Sequence, residues 1–450
     1  MTTDKTHGPR FDAARAVSLS DDVAPWAARP GVRSYLRPLG LSDAAPGALP
    51  LAGGPLGFDR VELVLRGPEK TESPLPPREG DRGRGFSPPE PARIVPDQPA
   101  DEGGPSAHSR ADARRPLPLT PSRKGRGDKD GVGSDYVCAV ADLDTLRRWA
   151  GRHGLGAAVD QHLDRLSRPR PAFAGFALDR PLLMGIVNVT PDSFSDGGDF
   201  ADAGRAIAQG LALAEAGAEI LDIGGESTRP GSAPVSPEAE IARIEPVIRD
   251  LAGRGLTVSV DTRHAVVMQA ALAAGARIVN DVTGLTGDPA SLGVVARAGC
   301  PVVLMHIRGE PRTMQENPVY DDVLLDVFDW LEQRVAACAA AGIPSDRIAV
   351  DPGIGFGKRS LDHNLPLLRG LSLLHGLGCA VLLGVSRKRF IGTLSGTEDP
   401  KARVAGSIAA GLYGIAQGVQ ILRVHDVAET RQALAVWSAL QVGIEAEAGD

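Results

Sequence analysis

Aromatic residues are scarce in this chain: Phe, Trp and Tyr together make up 4% of 450 residues. An interior built on stacked rings is therefore excluded, and a hydrophobic share of 42% implies a large aliphatic core of Ala, Val and Leu. A basic excess is also missing. The formal net charge is −7, which argues against a general nucleic-acid binder. It leaves room for an anionic substrate, because local clusters set the local field. The four cysteines, Cys138, Cys300, Cys338 and Cys379, are far apart. No Cys-x-x-Cys or His/Cys spacing suggests zinc, and no dense framework suggests secretion. No apolar run approaches a membrane span, and residues 1–10 are polar, without an apolar signal core. The expectation is a soluble cytoplasmic protein with reduced thiols and no nucleic-acid or membrane partner.

At this length there is room for two domains, or for one large domain with additions. Residues 1–32 are polar and rich in Pro and Ala, and are expected to be a poorly ordered tail. Residues 58–66 alternate apolar and polar side chains, as a half-buried strand does. Composition then shifts. Residues 68–134 are dominated by Pro, Gly, Arg, Asp, Glu and Ser, and a segment from Pro74-Leu75-Pro76-Pro77-Arg78 is echoed at Pro116-Leu117-Pro118. Such a stretch cannot bury enough surface to offset its ordering entropy, and it is read as a low-complexity insert. A strand-like run at 136–141 and helical stretches at 144–150 and 157–166 follow. The expectation is one small α+β unit, 33–67 plus 135–175, interrupted by the insert.

From residue 176 to 450 the pattern is regular. Apolar runs at 182–189, 219–223, 257–260, 277–279, 301–305, 347–350, 380–385 and 420–424 each end in a polar or glycine cluster. Helical stretches such as 202–216, 237–251, 265–274, 323–341, 402–416 and 428–442 separate or follow them. Near-continuous apolar strands suit a parallel sheet covered by helices. The fold class is α/β, and eight such units point to a (β/α)8 TIM barrel; a doubly wound open sheet is the alternative. The barrel is preferred because the count is eight and every strand has a polar end, as a ring of loops around one mouth requires.

The strand ends carry the chemistry. The second is Asp222-Ile223-Gly224-Gly225-Glu226-Ser227-Thr228-Arg229-Pro230-Gly231. Its glycines allow close backbone approach, and its hydroxyls and guanidinium suit a phosphate or carboxylate. The first strand ends at Asn188, where an amide needs a partner; an oxygen ligand to magnesium is one such role. The polar loop after it, containing Phe194 and Gly197-Gly198, is able to close over a ligand. Asp261, Asn280 and Asp351 end strands three, four and six, so carboxylates and an amide reach one mouth. Such a set suits a flat heterocycle rich in N–H donors and carbonyls, such as a pterin or guanine-like ring. The alternative for any one Asp is a helix N-cap, and Asp261 and Asp281 stay open to it. Gly353 to Lys358 looks like a phosphate loop, but its glycine spacing is one short and Arg359 stands where Ser or Thr is required. Strand five ends Met305-His306-Ile307-Arg308, strand seven Ser386-Arg387-Lys388-Arg389, and strand eight Arg423-Val424-His425. Arg423 and His425 project from one face and, with Arg229, make a pyrophosphate-sized basic site that a magnesium ion would complete. A solvated basic cluster is the competing reading of Arg387-Lys388-Arg389.

These segments, in this order from about 181 to 445, closely resemble dihydropteroate synthase, a pterin-binding barrel family of folate biosynthesis. The resemblance implies condensation of 6-hydroxymethyl-7,8-dihydropterin diphosphate with 4-aminobenzoate, assisted by Mg2+, in a homodimer. It implies that Asp261, Asn280, Asp351 and Lys388 hold the pterin, with Asp222 and Met305 beside them. Thr228, Arg229, Arg423 and His425 would hold the diphosphate, with Asn188 on magnesium, and Phe194, Pro230 and Phe356 would enclose aminobenzoate. Lys388, Asp351, Arg423 and His425 are the expected catalytic groups. Arg389 departs from the small serine that many members carry. Two other readings remain open: a pterin-binding barrel that transfers a methyl group from a methylated folate, and a pterin-binding module without catalysis. The first has no need of the Arg229, Arg423 and His425 anion site.

Overall fold

The computed structural model describes residues 17–19, 23–43, 47–67, 136–189, 199–227, 234–310, 313–359 and 361–442. The expected insert, 68–134, lies outside the described residues. The first layer of structure is a small α+β unit. Its strands are β1 (Val17–Ser18), β2 (Arg33–Leu39), β3 (Ser42–Asp43), β4 (Leu49–Pro50), β5 (Leu56–Phe58), β6 (Arg60–Arg66) and β7 (Tyr136–Asp142). Its helices are α1 (Ala24–Ala27), α2 (Leu143–Arg152) and α3 (Gly156–Ser167). Strands β1, β7, β6 and β2 form one sheet in that order. β6 pairs antiparallel with β7, from Arg60 opposite Asp142 to Arg66 opposite Tyr136, so the two sides of residues 68–135 share a sheet. The stretch expected as a tail also contributes: β1 pairs parallel with β7.

Asp142 starts α2 by accepting the Thr145 N–H at 2.7 Å, the capping role a short acidic side chain performs well. The apolar face of α2 and α3 then packs Leu146, Trp149, Leu163 and Leu166 against Phe58, Val61, Leu63 and Leu65 of the strands.

The barrel strands are β8 (Leu182–Asn188), β9 (Ile220–Gly224), β10 (Val258–Asp261), β11 (Ile278–Asp281), β12 (Val302–Met305), β13 (Ile348–Asp351), β14 (Ala380–Leu383) and β15 (Ile421–Val424). The helices between and after them are α4 (Asp199–Glu215), α5 (Pro237–Gly253), α6 (Ala265–Ala274), α7 (Ser291–Ala298), α8 (Val323–Ala340), α9 (Asn364–Arg369), α10 (Arg389–Ser395), α11 (Val404–Ile415) and α12 (Val427–Val442). All eight strands are parallel and the ring closes where β15 pairs with β8. The expected (β/α)8 architecture is therefore present, with strand positions within a residue or two of the sequence reading. The sixth crossover is less regular than the others, since α9 is short and is followed by 3-10 turns over Leu371–Leu377.

Strand alternation sorts the barrel into layers. Leu182, Met184, Ile220, Ile278, Val303, Ala349, Ala380, Leu382 and Ile421 form one buried cluster, the inside of the ring, and Phe173 joins them. Their neighbours in sequence, such as Leu183, Leu221, Val279, Leu304, Val350 and Leu422, belong to a second cluster shared with the helices. Among the described residues, no helix is long and apolar enough to cross a membrane. The four cysteines are all unpaired, and Cys300, Cys338 and Cys379 are buried.

The small unit is bolted to α8. Arg66, 5% exposed, reaches Asp326 at 2.7 Å and Asp329 at 3.5 Å, and Tyr35 donates its hydroxyl to Asp329 at 2.9 Å. Tyr35 and Val64 are counted in the same apolar cluster as the barrel helices. Removing the cation would leave neighbouring half-buried carboxylates facing one another. Arg66→Ala should therefore cost about 3 kcal/mol of unfolding free energy in a urea titration. Stability equal to the parent would mean that the seam is held by apolar contact alone.

Candidate active site

The polar mouth continues the inner layer of the barrel. Two residues past Ile220 is Asp222, past Ile278 is Asn280, past Val303 is Met305, past Ala349 is Asp351 and past Ile421 is Arg423. On β10 the same parity places Asp261 beyond Ser259, and β8 ends its inner row at Asn188. An apolar floor thus gives way to a largely polar rim toward the strand C-termini. In this fold, chemistry gathers at the strand C-termini.

One guanidinium joins three of these strands. Arg423 donates from Nε to Asp222 Oδ2 at 2.6 Å and from Nη2 to Asp261 Oδ2 at 2.7 Å. Asn280 Nδ2 donates to the same Asp222 oxygen at 2.9 Å. The other Asp222 oxygen, Oδ1, is buried without a protein hydrogen bond. Burial works against the Arg423 cation, yet Asp222 and Asp261 raise its pKa above the usual value. Burial pushes the Asp261 carboxyl up to about 7, with Arg423 opposing the rise and Asp222 adding to it.

Across the mouth, Asp351, Lys388 and Arg423 converge over Gly384. A Cβ built on that glycine would lie 3.8 Å from Asp351 Oδ2, 3.8 Å from Lys388 Nζ and 3.9 Å from Arg423 Cβ. Lys388 donates to the Ile354 carbonyl and lies 4.9 Å from the centre of the Phe356 ring. Burial lowers its pKa to about 8, against the pull of Asp351. Burial raises the Asp351 carboxyl, opposed by Lys388. Asp351 Oδ1 also accepts the Gly353 N–H at 2.7 Å.

The loop from 353 to 358 lies against the end of β12. A Cβ on Gly353 would be 2.0 Å from the His306 carbonyl oxygen and one on Gly357 would be 2.3 Å from that of Arg308. Both glycines also have positive φ, so larger residues are excluded on two counts. Lys358 is buried beneath this loop. Its amine donates to the Phe356 carbonyl at 2.9 Å and lies 2.9 Å from His306 Nδ1. That placement agrees with rejecting a phosphate loop, since this lysine faces inward and braces Phe356. Lys358 and its partner His306 give no local sequence signal, because they are 52 positions apart.

His425 stands just past β15, with Nδ1 2.9 Å from Ser386 Oγ, while Ser386 Oγ accepts the His425 backbone N–H at 3.2 Å. The serine oxygen thus meets both the backbone and the ring of His425, which fixes the imidazole through Nδ1. Met305 is buried at its strand end and Phe356 is half-buried. Thr228, Arg229, Pro230 and Phe194 lie outside the described residues. Arg389 is exposed and opens α10. Of the two aspartates left open as caps, Asp281 holds its own turn, accepting from Thr283 N at 2.7 Å and Leu285 N at 3.0 Å. Asp261 instead pairs with Arg423.

A magnesium ion wants hard oxygen donors and keeps several waters or phosphate oxygens. Asn188 Oδ1 and Asp261 Oδ2 flank Gly224, 3.9 Å and 3.8 Å from a Cβ built there, so the mouth offers oxygens of that type. A second group of possible ligands, Glu226, Glu240 and His264, has donor atoms within 4.8 Å of one another. Its members are already engaged: Arg263 forks onto both oxygens of Glu226, at 2.9 and 3.0 Å, and His264 Nδ1 lies 2.8 Å from Glu240. That group acts as a brace behind the second strand.

Residues 184–425, more than half of the chain, match the family profile described as pterin binding enzyme. The dihydropteroate synthase of Neisseria meningitidis serogroup C is 49% identical over 270 residues, covering 59% of this chain and 95% of that relative. The dihydropteroate synthase of Escherichia coli K12 is 44% identical over 263 residues, with 58% and 92% covered. Among solved structures, Xanthomonas albilineans dihydropteroate synthase with 4-aminobenzoic acid is 52% identical with a TM-score of 0.57, covering 60% of this chain and 97% of that one. The same enzyme in complex with 7,8-dihydropteroate gives 50% identity and a TM-score of 0.54, with 59% and 96% covered. A closed parallel barrel whose inner rows end in these carboxylates, amides and cations, and whose sequence matches nearly the full length of such relatives, belongs to the dihydropteroate synthase family.

Proposed function

We propose that the chain condenses 6-hydroxymethyl-7,8-dihydropterin diphosphate with 4-aminobenzoate, giving 7,8-dihydropteroate and diphosphate. The observation that carries this reading is the polar rim itself: Asp222, Asp261, Asn280 and Asp351 face Arg423 and Lys388 across one mouth. A pterin edge alternates N–H donors and acceptors, and this rim supplies both kinds of partner. Asp261, Asn280, Asp351 and Lys388 bind the ring in this scheme, with the unpartnered oxygen of Asp222 and the Met305 side chain next to it.

The diphosphate lies toward Thr228, Arg229, Arg423 and His425. Two of Arg423's five N–H donors are engaged by carboxylates, and three remain for an anion. His425, held through Nδ1 by Ser386, is the second group on that side. Asn188 would hold a magnesium ion through its amide oxygen, and a bound ion would neutralise diphosphate charge and make it a better leaving group. The bond from the pterin methylene carbon to the diphosphate oxygen breaks, and its electron pair leaves with diphosphate. Asp351, when ionised, favours the positive charge that develops on the pterin. The neutral amine of 4-aminobenzoate forms the new C–N bond and then loses a proton to solvent. Phe356, with Phe194 and Pro230, encloses its ring.

The barrel, 176–450, is the catalytic body, and the unit made of 33–67 and 135–175 buttresses it through α8. A homodimer is supported by exposed Tyr413 on α11 and Val436 and Leu440 on α12, an apolar face that a second copy would cover. A cytoplasmic location is supported by three buried, unpaired thiols.

Purified protein given the pterin diphosphate and magnesium should release diphosphate only when 4-aminobenzoate is present. Arg423→Ala should reduce turnover by at least about a hundredfold, through loss of leaving-group stabilisation. Release that ignores the amine would point to a hydrolase instead. The pH profile offers an independent check. Asp261 must be ionised, so kcat/KM should rise as pH passes about 7. Lys388 must be protonated, so it should fall as pH passes about 8. Lys388→Arg, always charged, should move the alkaline limb upward and leave the acid limb in place. A profile flat from about pH 6 to about pH 9 contradicts both assignments.

A further inference from the structure

Arg387 occupies a backbone position that ordinarily belongs to glycine. The Lys388 N–H returns to the Val385 carbonyl at 3.3 Å, which makes Val385–Lys388 a four-residue turn. Arg387 is its third residue, with φ of +60°. In such a turn that position favours glycine, because a Cβ is strained there. A strained residue persists only where its surroundings over-determine it. Here they do so on three sides. Its N–H donates to Ser407 Oγ at 2.8 Å, its carbonyl accepts from Arg403 Nη1 at 3.0 Å, and its guanidinium forks onto Asp426, from Nε to Oδ2 at 3.0 Å and from Nη2 to Oδ1.

The partner's position matters equally. Asp426 directly follows His425 and precedes α12, a place where an aspartate commonly caps a helix. Both of its carboxylate oxygens go to Arg387 instead. The pair therefore links the turn that ends in Lys388 to the turn that begins with His425. Alongside it, Ser386 Oγ touches His425 Nδ1 at 2.9 Å, so the two turns are joined by a hydrogen bond and by an ion pair with two parallel contacts. A forked arginine–carboxylate pair fixes orientation as well as distance. The three successive basic residues consequently have three different surroundings. Arg387 is tied sideways to Asp426, Lys388 turns into the mouth, and Arg389 is exposed.

We propose that Arg387 and Asp426 are a positioning pair for the condensation: their fork sets the separation and aim of Lys388, on the pterin side, and His425, on the diphosphate side. Neither residue needs to touch a substrate. The inference rests on the function proposed above, in which those two groups act on opposite ends of one molecule. Small errors in such a registration are costly, because a displacement of about 1 Å at a reacting group can lower a rate by about a hundredfold.

Arg387→Gly is the decisive variant, because it relieves the backbone strain while removing the fork. A residue of purely structural importance would leave turnover intact once the strain is gone. The expected result is kcat reduced at least about tenfold, more than any fall in melting temperature accounts for, since relief of the strained backbone offsets part of the lost ion pair. Binding of 6-hydroxymethylpterin, measured by calorimetry, should weaken by clearly less than kcat falls, because Asp261, Asn280 and Asp351 still hold the ring when Lys388 is displaced. Asp426→Asn should lower kcat in the same way. The double variant should be no worse than the poorer single one, as for two halves of one device. Arg387→Lys should recover part of the loss by keeping the charge without the fork. The proposal is overturned if Arg387→Gly and Asp426→Asn each keep kcat within about threefold of the parent, or if their losses multiply in the double variant. It is also overturned if kcat falls only in step with melting temperature and pterin affinity. Parent turnover in the same assay reports on the proposed reaction itself, so an inactive parent would indict that reading and not the pair.

Discussion

The guanidinium of Arg423 is the interaction on which the mouth of the barrel depends. It stands on the last strand and joins Asp222 of β9 to Asp261 of β10, and Asn280 of β11 shares the Asp222 oxygen. Carboxylates this close and this buried would repel without a cation between them. One side chain therefore closes the ring electrostatically where β15, β8 and β9 close it by backbone hydrogen bonds. The rim keeps a surplus of acceptors, with Asp222 Oδ1 buried and unpartnered and Asp351 held near Lys388. That surplus is what a heterocycle rich in N–H groups would satisfy.

Beneath the rim, the inner positions are apolar from Leu182 and Ile220 to Ile421, with Ser259 of β10 the polar exception, and Phe173 lies with them. The barrel is filled below and polar above, and on β9, β11, β13 and β15 the change occurs within two residues. This explains how the site is rigid without a large aromatic content. Aliphatic side chains fill the interior, and strand parity puts Asp222, Asn280, Asp351 and Arg423 on the inner face. Support then comes from behind: Lys358 under Phe356, Arg263 on Glu226, and Arg387 on Asp426.

Much of this was legible in the sequence, and the reason is physical. Apolar strands and amphipathic helices have different periods, so the eight barrel units stand out, and the polar residues that end each strand mark the mouth. Asn188, Asp261, Met305 and Asp351 are the last residues of their strands, Asn280 and Arg423 the last but one, while Asp222 is the third of the five residues of β9. What stayed hidden was pairing at long range. Nothing local to Arg423 says that its fork meets Asp222, 201 positions away, and nothing local to Arg387 points to Asp426. The strained turn at Arg387 was hidden for a second reason, since an arginine there breaks the local rule that would have signalled a turn. The edge strand β1 was likewise obscured, because a two-residue strand inside a Pro- and Ala-rich stretch has no periodicity to read.

The central claim is that one mouth holds the two ends of a single substrate with separate groups. The most direct measurement is a crystal structure with the dihydropterin diphosphate bound. The account places the pterin ring against Asp261, Asn280 and Asp351 with Lys388 beside it, and the diphosphate toward Arg423 and His425. A pterin ring seated away from those carboxylates, or a diphosphate that contacts neither Arg423 nor His425, would contradict it.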